Sequence, residues 1–258
     1  MLTPDDVPPK PPASLRGVAL RQWLKDHWYD DHHSDLGYSV ARVEMYSYIN
    51  VAGDGQVHGV YSGFSQPAKE TTFLNPINAE HTVPQSWFDK KSPMRSDIHI
   101  LFPTHKDVNS ARGSLPFGDI EDEVTDKWYS VGSQSGELQI LRDALLSLST
   151  RDNYGEYENN STFEPPEQQK GDTARAIFYF YTMYPSQAGG IERIIKTGEL
   201  ESLYQWHLND PAVEPSQVPA TSREWQRNLR IAEKQGNYNP YVVYPELICR
   251  AWEIRDCD

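Results

Sequence analysis

Two short segments near the middle of the chain carry side chains that could do chemistry together. Residues 78–88 contain the pair Glu80-His81, and residues 97–113 contain Asn109. A carboxylate oxygen and an amide oxygen, with the other positions left to water and phosphate, are typical ligands of Mg²⁺. Histidine is the side chain most often used as a general base. The two segments therefore predict a site that binds one hard metal ion and activates one water molecule.

The second segment is predicted to be a strand followed by a helix. Thr104, with Asp107 three residues later, is a capping-box signature for the start of a helix. On a helix that begins there, His105, Asn109 and Arg112 lie at i, i+4 and i+7, which is one face. This spacing directs the Asn109 amide and the Arg112 guanidinium to the same side.

The predicted strand covers residues 97–103 and ends at Pro103. Because side chains alternate along a strand, Asp97 and His99 are expected on the same face. Glu80 and His81 are neighbours and would point to opposite faces of a regular strand. Both can serve one site only if the backbone twists there, as at a strand end or a bulge.

Periodicity elsewhere predicts a mainly helical body around a small sheet. Apolar residues at helical spacing predict helices over 15–28, 38–48, 173–184, 191–206 and 223–235. Alternation after the turn signal Asp54-Gly55 predicts a strand over 57–64. The leucine-rich segment 136–149 is predicted to be core, and the acidic segment 151–169 to be a solvated loop. The predicted fold class is α+β.

Length and composition fit one domain. The chain has 258 residues, of which 38% are hydrophobic, enough for a single core. We place this domain at residues 15–258, after a Pro-rich leader over residues 1–14 that is expected to be flexible. No run of eighteen apolar residues occurs, so no membrane span is predicted. We expect a monomer.

The net charge of −13 argues against a protein that holds nucleic acid with its whole surface. Neutralising phosphates requires clustered Lys and Arg. A polyanion could still bind in one positive cleft. We therefore expect four cations to line one side of the site: Lys106, Arg112, Lys170 and Arg175.

The two cysteines lie eight residues apart, at Cys249 and Cys257. On one continuous helix they would be roughly 12 Å apart, at about 1.5 Å rise per residue. This exceeds the ~7 Å limit for a disulfide. A bridge between them therefore requires the helix to end after about Trp252.

The motifs and their order resemble those of the endonuclease I family of ββα-metal, or His-Me finger, nucleases. The central matches are Asn-Ala-Glu-His-Thr-Val-Pro-Gln-Ser-Trp-Phe at 78–88, Asp-Ile-His-Ile-Leu-Phe-Pro-Thr at 97–104 and Val-Asn-Ser-Ala-Arg-Gly-Ser-Leu-Pro-Phe-Gly at 108–118. Further matches are Lys-Gly-Asp-Thr-Ala-Arg at 170–175, Trp-His-Leu-Asn-Asp-Pro at 206–211 and Gln-Gly-Asn-Tyr-Asn-Pro-Tyr at 235–241. The resemblance covers nearly everything from Leu15 on, and it places the ββα-metal motif at about residues 78–113.

The resemblance implies a sequence-non-specific endonuclease that cuts DNA and RNA and leaves 5′-phosphate ends. It implies that His81 is the general base. Glu80 and Asn109 would bind Mg²⁺, for which Mn²⁺ or Ca²⁺ could substitute. Family membership also implies a secreted or periplasmic protein.

Supporting residues are assigned in the same way. Asp97 and His99 are expected to support the site by hydrogen bonding, and Arg175 to stabilise the phosphate or the product. Arg112 and Lys106 are expected to contact the substrate.

The sequence also departs from the family pattern. The usual Asn-Arg-Asn-Pro reads Asn-Tyr-Asn-Pro at 237–240, and the cysteine-rich disulfide framework of marine members does not transfer. In some members an arginine between the two motifs contributes to catalysis, and Arg95 is the candidate here.

Two alternatives remain. One is a catalytically inactive nucleic-acid-binding relative, against which the intact set of Glu80, His81 and Asn109 argues. The other is a metal-dependent hydrolase of another class, such as a peptidase, which would need more nitrogen ligands at defined spacing.

Overall fold

The fold combines many helices with small antiparallel sheets. The computed structural model describes residues 6–254 except 69–73, 133–134, 143–150, 152, 159, 198 and 213–221. Helices cover more of the described residues than strands do, and the predicted α+β class is confirmed. No helix among these residues has the length and apolar character needed to cross a membrane.

The strands of the described residues are short and lie in three sheets. In chain order they are β1 (Gln56–His58), β2 (Ser65–Pro67), β3 (Ile77–His81), β4 (Leu101–His105), β5 (Lys127–Val131), β6 (Leu138–Leu141), β7 (Gly155–Glu158) and β8 (Thr162–Glu164). Strand β1 pairs with β2, and β3 pairs with β4. The other four form one sheet in the order β6-β5-β7-β8.

The helices surround these sheets. They are α1 (Gly17–Lys25), α2 (Tyr38–Glu44), α3 (Lys106–Arg112), α4 (Glu167–Met183), α5 (Ile191–Thr197), α6 (Glu199–Asn209), α7 (Arg223–Gln235), α8 (Pro240–Val243) and α9 (Leu247–Trp252). Two π-helical turns, Asp26–Asp30 and Met45–Ile49, continue α1 and α2.

Helix α4 is the centre of the core. Every residue from Gln169 to Met183 is buried, and its aromatic side chains pack with α1, α6 and α8 in the larger hydrophobic cluster. A second cluster joins α2 and its π turn to one face of the β3–β4 sheet, through Ala41, Met45, Ile77, Ala79 and Leu101. This second cluster fixes the position of the sheet that carries Glu80 and His81.

Most of the predicted helices are confirmed. Those over 38–48, 173–184 and 223–235 correspond to α2 with its π turn, the second part of α4, and α7. The first helix begins at Gly17, and the helix predicted over 191–206 is two helices, α5 and α6. The amphipathic spacing that predicted them is local, which is why it succeeds.

Two strand and loop predictions are wrong, and the core prediction for segment 136–149 is tested only in part. The strand predicted over 57–64 stops at His58, because Gly59 and Phe64 close a turn with a 2.6 Å hydrogen bond. The described part of segment 136–149 is an edge strand whose Ile140 is 47% exposed, and residues 143–150 lie outside the described residues. The acidic segment 151–169 contains β7 and β8 instead of a solvated loop.

Acidic residues of that segment are buried because they have partners. Glu156 accepts a hydrogen bond from Thr125 (2.7 Å), and Glu164 pairs with Lys170 (2.6 Å). A polar sequence therefore forms buried strands here, since each buried carboxylate finds a donor.

The described part of the leader packs on the body. Trp28 Nε1 donates to the carbonyl of Pro9 (3.2 Å), and Arg250 Nη2 donates to that of Pro12 (2.8 Å). The flexibility expected of the leader and the boundary at residue 15 both stay predictions. Helix α9 ends at Trp252 and Cys249 is disulfide-bonded, whereas Cys257 lies outside the described residues.

Candidate active site

Strands β3 and β4 form a two-stranded antiparallel sheet, and helix α3 directly follows β4. In the register of this sheet Glu80 lies opposite Phe102, and His81 lies opposite Leu101. Because side chains alternate, His81 shares the face of Ala79 and Leu101, whereas Glu80 lies on the other face. His81 is the last residue of β3, and a strand end is a place where both side chains can serve one site. Helix α3 packs against β3, which brings Asn109 to the strand that carries both residues.

Strand β4 begins later than predicted. The side chain of Asp97 accepts a hydrogen bond from His99 N (3.1 Å) and caps the 3₁₀ turn Ile98–Ile100. Asp97 and His99 therefore lie before the strand, and their predicted placement on one strand face is wrong. Pro103 lies inside β4 instead of ending it. A sheet of only two strands leaves an edge where the missing N–H of proline is tolerated.

Helix α3 also begins one residue later than predicted. Its cap is His105, whose Nδ1 accepts from Asp107 N (3.2 Å), and its first residue is Lys106. The capping-box prediction at Thr104 is therefore wrong, because Thr104 is still part of the strand.

Glu80 is a buried carboxylate. Its side chain is 2% exposed, and its Oε1 accepts a hydrogen bond from the hydroxyl of Tyr61 (3.2 Å). The same oxygen lies 3.4 Å from Arg112 Nε. Burial raises the pKa of Glu80 to about 7, although Arg112 and Tyr61 act in the opposite direction. A second cation at this carboxylate would favour its ionised form.

The imidazole of His81 is held in one tautomer by a backbone carbonyl. Its Nε2 lies 3.0 Å from the carbonyl oxygen of Arg95. Since a carbonyl only accepts, Nε2 carries the proton and Nδ1 keeps its lone pair. Burial lowers the pKa of His81 to about 4. The side chain is therefore neutral at pH 7 and can accept a proton at Nδ1.

The amide of Asn109 is oriented by β3. Its Nδ2 donates to the carbonyl oxygen of Ala79 (3.1 Å). This bond fixes which end of the amide faces the strand, and among the described residues nothing donates to the other end, Oδ1. Asn109 thus offers a free oxygen ligand next to the strand of Glu80.

Arg112 is enclosed, and its predicted contact with substrate stays a prediction that this geometry does not support. Its side chain is 1% exposed. Nη1 donates to the carbonyl of His81 (3.2 Å) and Nη2 to that of Thr82 (2.7 Å). The guanidinium therefore secures the end of β3, and its contacts position both Glu80 and His81.

Arg175 is also enclosed, and its predicted role at the phosphate or the product stays a prediction that this geometry does not support. Its side chain is fully buried in α4, and its Nε lies 3.0 and 2.8 Å from the two carboxylate oxygens of Glu224. Nη1 donates to the carbonyl of Asp210 (2.8 Å), and Nη2 lies 3.4 Å from Asp172. A guanidinium with these partners and no exposure has no free edge for a phosphate.

The expected positive cleft is therefore wrong. Of its four cations, Arg112 and Arg175 are buried, and Lys170 is 7% exposed and pairs with Glu164, Glu167 and Asp119. Only Lys106 is well exposed, and it pairs with Asp107 (2.6 Å). Burial and neighbouring carboxylates remove three of the four from any cleft surface. Substrate contact by Lys106 stays a prediction.

Arg95 provides a cation beside His81. Its guanidinium lies over the ring of Tyr38, 4.4 Å from the centroid, and that ring lies 5.6 Å from the ring of His81. No described residue accepts a hydrogen bond from Arg95 Nε or pairs with the guanidinium. The sequence offered Arg95 only as a candidate and did not identify Tyr38, because no local spacing links residue 38 to residues 81 and 95.

Asp97 and His99 belong to a buried hydrogen-bond network. Asp97 accepts from the hydroxyls of Tyr179 (2.8 Å) and Tyr184 (2.7 Å) and from Gln235 Nε2 (2.8 Å). His99 Nε2 donates to the carbonyl of Asn237 (3.0 Å). The network anchors the segment whose carbonyl at position 95 holds His81. That it supports the chemistry stays a prediction.

The donor set near Glu80 is small. Among the described residues, no three His, Cys, Asp or Glu side chains form a group that could hold a metal ion. A metal held here would rest on one carboxylate and one amide oxygen, with its other positions left to water or phosphate. Hard cations such as Mg²⁺ accept such a set.

Comparison with known proteins finds a matching family and similar proteins over most of the chain. The family model Endonuclease I matches residues 17–246. An extracellular ribonuclease of Bacillus amyloliquefaciens is 29% identical over 250 residues, covering 94% of this chain and 77% of the relative. An extracellular ribonuclease of Bacillus subtilis (strain 168) is 30% identical over 181 residues, which are 68% of this chain and 54% of that relative.

A third relative is a deoxyribonuclease, whereas the first two are ribonucleases. An extracellular deoxyribonuclease of Aeromonas hydrophila is 26% identical over 196 residues, covering 69% of this chain and 70% of the relative. The matched region contains the β3–β4 sheet, α3 and the buried network around Asp97. The chain therefore belongs to the Endonuclease I family, and it is by family a nuclease.

Proposed function

We propose that the protein is a metal-dependent, sequence-non-specific endonuclease that hydrolyses phosphodiester bonds of DNA and RNA and leaves 5′-phosphate ends. The observation that carries this proposal is the hydrogen bond from His81 Nε2 to the carbonyl of Arg95. It leaves an unprotonated Nδ1 on a neutral imidazole, as a general base requires. The names of the ribonuclease and deoxyribonuclease relatives support both substrates.

Glu80 and Asn109 fit a magnesium ion. Asn109 Oδ1 is a hard oxygen without a donor among the described residues. Burial raises the pKa of Glu80 to about 7. Such a raised pKa indicates that too little positive charge lies nearby to stabilise the ionised carboxylate. A bound Mg²⁺ would supply that charge and stabilise the negative charge that develops on the phosphate. Mn²⁺ or Ca²⁺ would occupy the same oxygens.

The chain's own residues then perform the remaining steps. His81 Nδ1 takes a proton from water as the water oxygen forms a bond to phosphorus. The bond from phosphorus to the 3′ oxygen breaks, and the departing 3′ oxygen takes a proton from solvent water. The imidazole of His81 returns its proton to solvent, and the products are a 5′-phosphate and a 3′-hydroxyl. Arg112 holds the end of β3 in place, and the free guanidinium of Arg95 binds a phosphate oxygen in the transition state. Contacts to phosphate carry no sequence information, which fits cleavage without base preference.

Plasmid digestion tests the proposal. The purified chain should convert supercoiled DNA to open and then degraded forms with Mg²⁺, and EDTA should stop the conversion. Labelling of product ends should succeed by polynucleotide kinase only after phosphatase treatment, because the ends carry 5′-phosphate. An inactive nucleic-acid-binding relative would retard the plasmid in a gel without cutting it.

Substitution of the two proposed ligands should change the metal response. In Glu80→Gln and Asn109→Ala we expect the Mg²⁺ concentration at half-maximal activity to rise, by about tenfold or more for Glu80 because it supplies the formal charge. The measurement is activity as a function of Mg²⁺ concentration. Asp107→Asn, which removes an exposed carboxylate from the start of α3, is the matched control. If the Mg²⁺ concentration at half-maximal activity is unchanged in Glu80→Gln or in Asn109→Ala, the substituted residue is not a metal ligand.

Removal of the guanidinium at position 95 should slow cleavage. For Arg95→Ala we expect kcat to fall by roughly 10²-fold, the loss seen when one donor to a developing anion is removed. Lys91→Ala removes a cation from the same loop, one that pairs with Asp89 (3.1 Å), and should leave kcat unchanged. Equal losses in both variants would mean that general positive charge matters instead of a specific contact.

We further propose that the protein is a secreted or periplasmic monomer. The relatives named above are extracellular. The disulfide at Cys249 suits an oxidising compartment. Cell fractionation and sedimentation velocity measure the two properties directly.

A further inference from the structure

A cavity on the α7 side of the β3–β4 sheet has the features of an anion site. Its volume is about 300 Å³, the lower end of the range for small-molecule pockets. Three arginines of α7 line it, Arg223, Arg227 and Arg230. They lie at i, i+4 and i+7, so they share one face of the helix. A protein with a net charge of −13 thus places three cations on a single cavity wall.

Two of these cations have no carboxylate at ion-pair distance among the residues that the structure describes. Arg227 Nη2 donates to the carbonyls of Ile98 (2.7 Å) and Leu101 (2.6 Å). Arg230 Nη1 donates to three carbonyls, at 3.0 to 3.3 Å, from Tyr48, Ile49 and Val51. Within the described part of the chain neither guanidinium has a carboxylate at ion-pair distance. Their bonds orient the guanidinium groups without placing a carboxylate of the described residues in direct contact with either one.

The third arginine and one acid lie at the same wall. Arg223 is 65% exposed at its side chain and pairs with Asp172 (2.7 Å), which also lines the cavity. The charges of Arg223 and Asp172 cancel each other. The net charge of the wall therefore remains positive through Arg227 and Arg230.

The cavity also contains a buried polar atom without a partner. Gln169 is 1% exposed and lines the cavity. Its Nε2 donates to Thr173 Oγ1 (3.4 Å), whereas no residue in the described part of the chain donates to its Oε1. Asn50 also lines the cavity, and its buried Oδ1 has no hydrogen-bond partner among the described residues. Because a buried acceptor without a donor is costly, a ligand that brings hydrogen-bond donors would be stabilised here.

Apolar side chains complete the lining, including Val51 and Val60. A ligand that matches all of these features carries an anion, at least one N–H or O–H donor, and a flat apolar body. A nucleoside monophosphate has a phosphate, amino and hydroxyl donors, and a base. We propose that this cavity binds one nucleotide unit, either of the nucleic-acid strand or of a released product.

The position of the cavity supports a link to the active site. Phe102 lines the cavity and pairs in register with Glu80. Val60 lines it too and precedes Tyr61, whose hydroxyl bonds to Glu80. The cavity and the candidate active site are therefore built on the same strand pair and the same loop. This inference rests on the proposed function only for the choice of ligand.

Direct binding without metal tests the inference separately from cleavage. Calorimetric titration of the wild-type chain in EDTA with deoxyadenosine 5′-monophosphate should show saturable binding. Deoxyadenosine and inorganic phosphate should bind at least about tenfold more weakly, since each lacks one part of the ligand. The inference is overturned if the nucleotide shows no saturable binding. It is also overturned if inorganic phosphate binds as tightly as the nucleotide, because the cavity would then be a simple anion site.

Substitutions test whether the nucleotide binds in this cavity. Arg230→Gln and Gln169→Leu should each weaken nucleotide binding by about tenfold, the value of one lost charged or buried hydrogen bond. Arg250→Gln is the matched control, because Arg250 likewise donates to backbone carbonyls, of Pro12 and Leu15, away from the cavity. If Arg230→Gln fails to fold in a thermal melt, Gln169→Leu alone decides. Unchanged binding in a folded Gln169→Leu variant would rule out the cavity.

Competition identifies the source of the nucleotide. Displacement by a 5′-phosphorylated tetranucleotide would assign the cavity to the substrate strand, and displacement by mononucleotides alone would assign it to product. A chain that cuts plasmid but binds no nucleotide in EDTA would defeat this inference and leave the proposed nuclease intact. A chain that binds the nucleotide but does not cut plasmid would defeat the proposed nuclease and leave this inference intact.

Discussion

His81→Ala is expected to lower kcat by about 10²–10⁴-fold, the usual cost of removing a general base. The physical reason is the free Nδ1 of a neutral imidazole, which the hydrogen bond to the carbonyl of Arg95 leaves available. Because His81 is not a proposed metal ligand, the Mg²⁺ concentration at half-maximal activity should stay the same. Steady-state cleavage of a fluorogenic oligonucleotide over a range of Mg²⁺ concentrations measures both quantities.

The control for this variant is another histidine of the same chain. His27 is exposed, and its Nδ1 lies 2.9 Å from the carbonyl oxygen of Trp23, so His27→Ala should leave kcat unchanged. Circular dichroism must show that His81→Ala is folded, since the native side chain is 4% exposed. A folded His81→Ala that retained more than about a tenth of the wild-type kcat would exceed what that range allows, and the base would have to be another group.

Arg175→Met is expected to destabilise the fold by about 3–5 kcal/mol, the usual cost of breaking a buried ion pair by removing one partner. Glu224 would remain as a buried carboxylate with its main cation lost. Urea-induced unfolding measures the free energy of unfolding of the variant and the wild type. Cleavage per folded molecule should fall far less than it does for His81→Ala, because Arg175 has no exposed edge.

The loss in Arg175→Met should also depend on pH. Burial raises the pKa of Glu224 above its usual range, and removal of Arg175 raises it further. A carboxyl whose pKa is higher in the folded state costs stability as pH rises from its unfolded value towards its folded value. The destabilisation should therefore be larger at pH 8 than at pH 5. Arg142→Met, at an exposed position, should cost little at either pH, and a full loss of activity in a stable Arg175→Met would restore the predicted phosphate contact.

The sequence by itself determined the family, the α+β class and the residues worth testing. The pair Glu80-His81 and the later Asn109 are contiguous motifs, readable without any tertiary information. Helices such as α7 were also predictable, because amphipathic spacing is a property of a single segment. These features share one physical basis, which is that neighbours along the chain decide them.

The tertiary structure alone decided which cations are available. Arg112 and Arg175 have the same side chain as Arg95, yet the first two are enclosed by carbonyls and carboxylates from distant segments and the third is not. Ion pairs such as that of Arg175 with Glu224 join residues 49 positions apart, and no local spacing encodes them.

The tautomer of His81 was decided in the same way. It depends on a carbonyl 14 residues away, presented by a loop that Asp97 anchors to helix α4 and to Gln235. Residue types therefore fixed what chemistry the chain could perform. Burial and long-range hydrogen bonds, which arise only when separate segments pack together, determined which atoms are free to perform it.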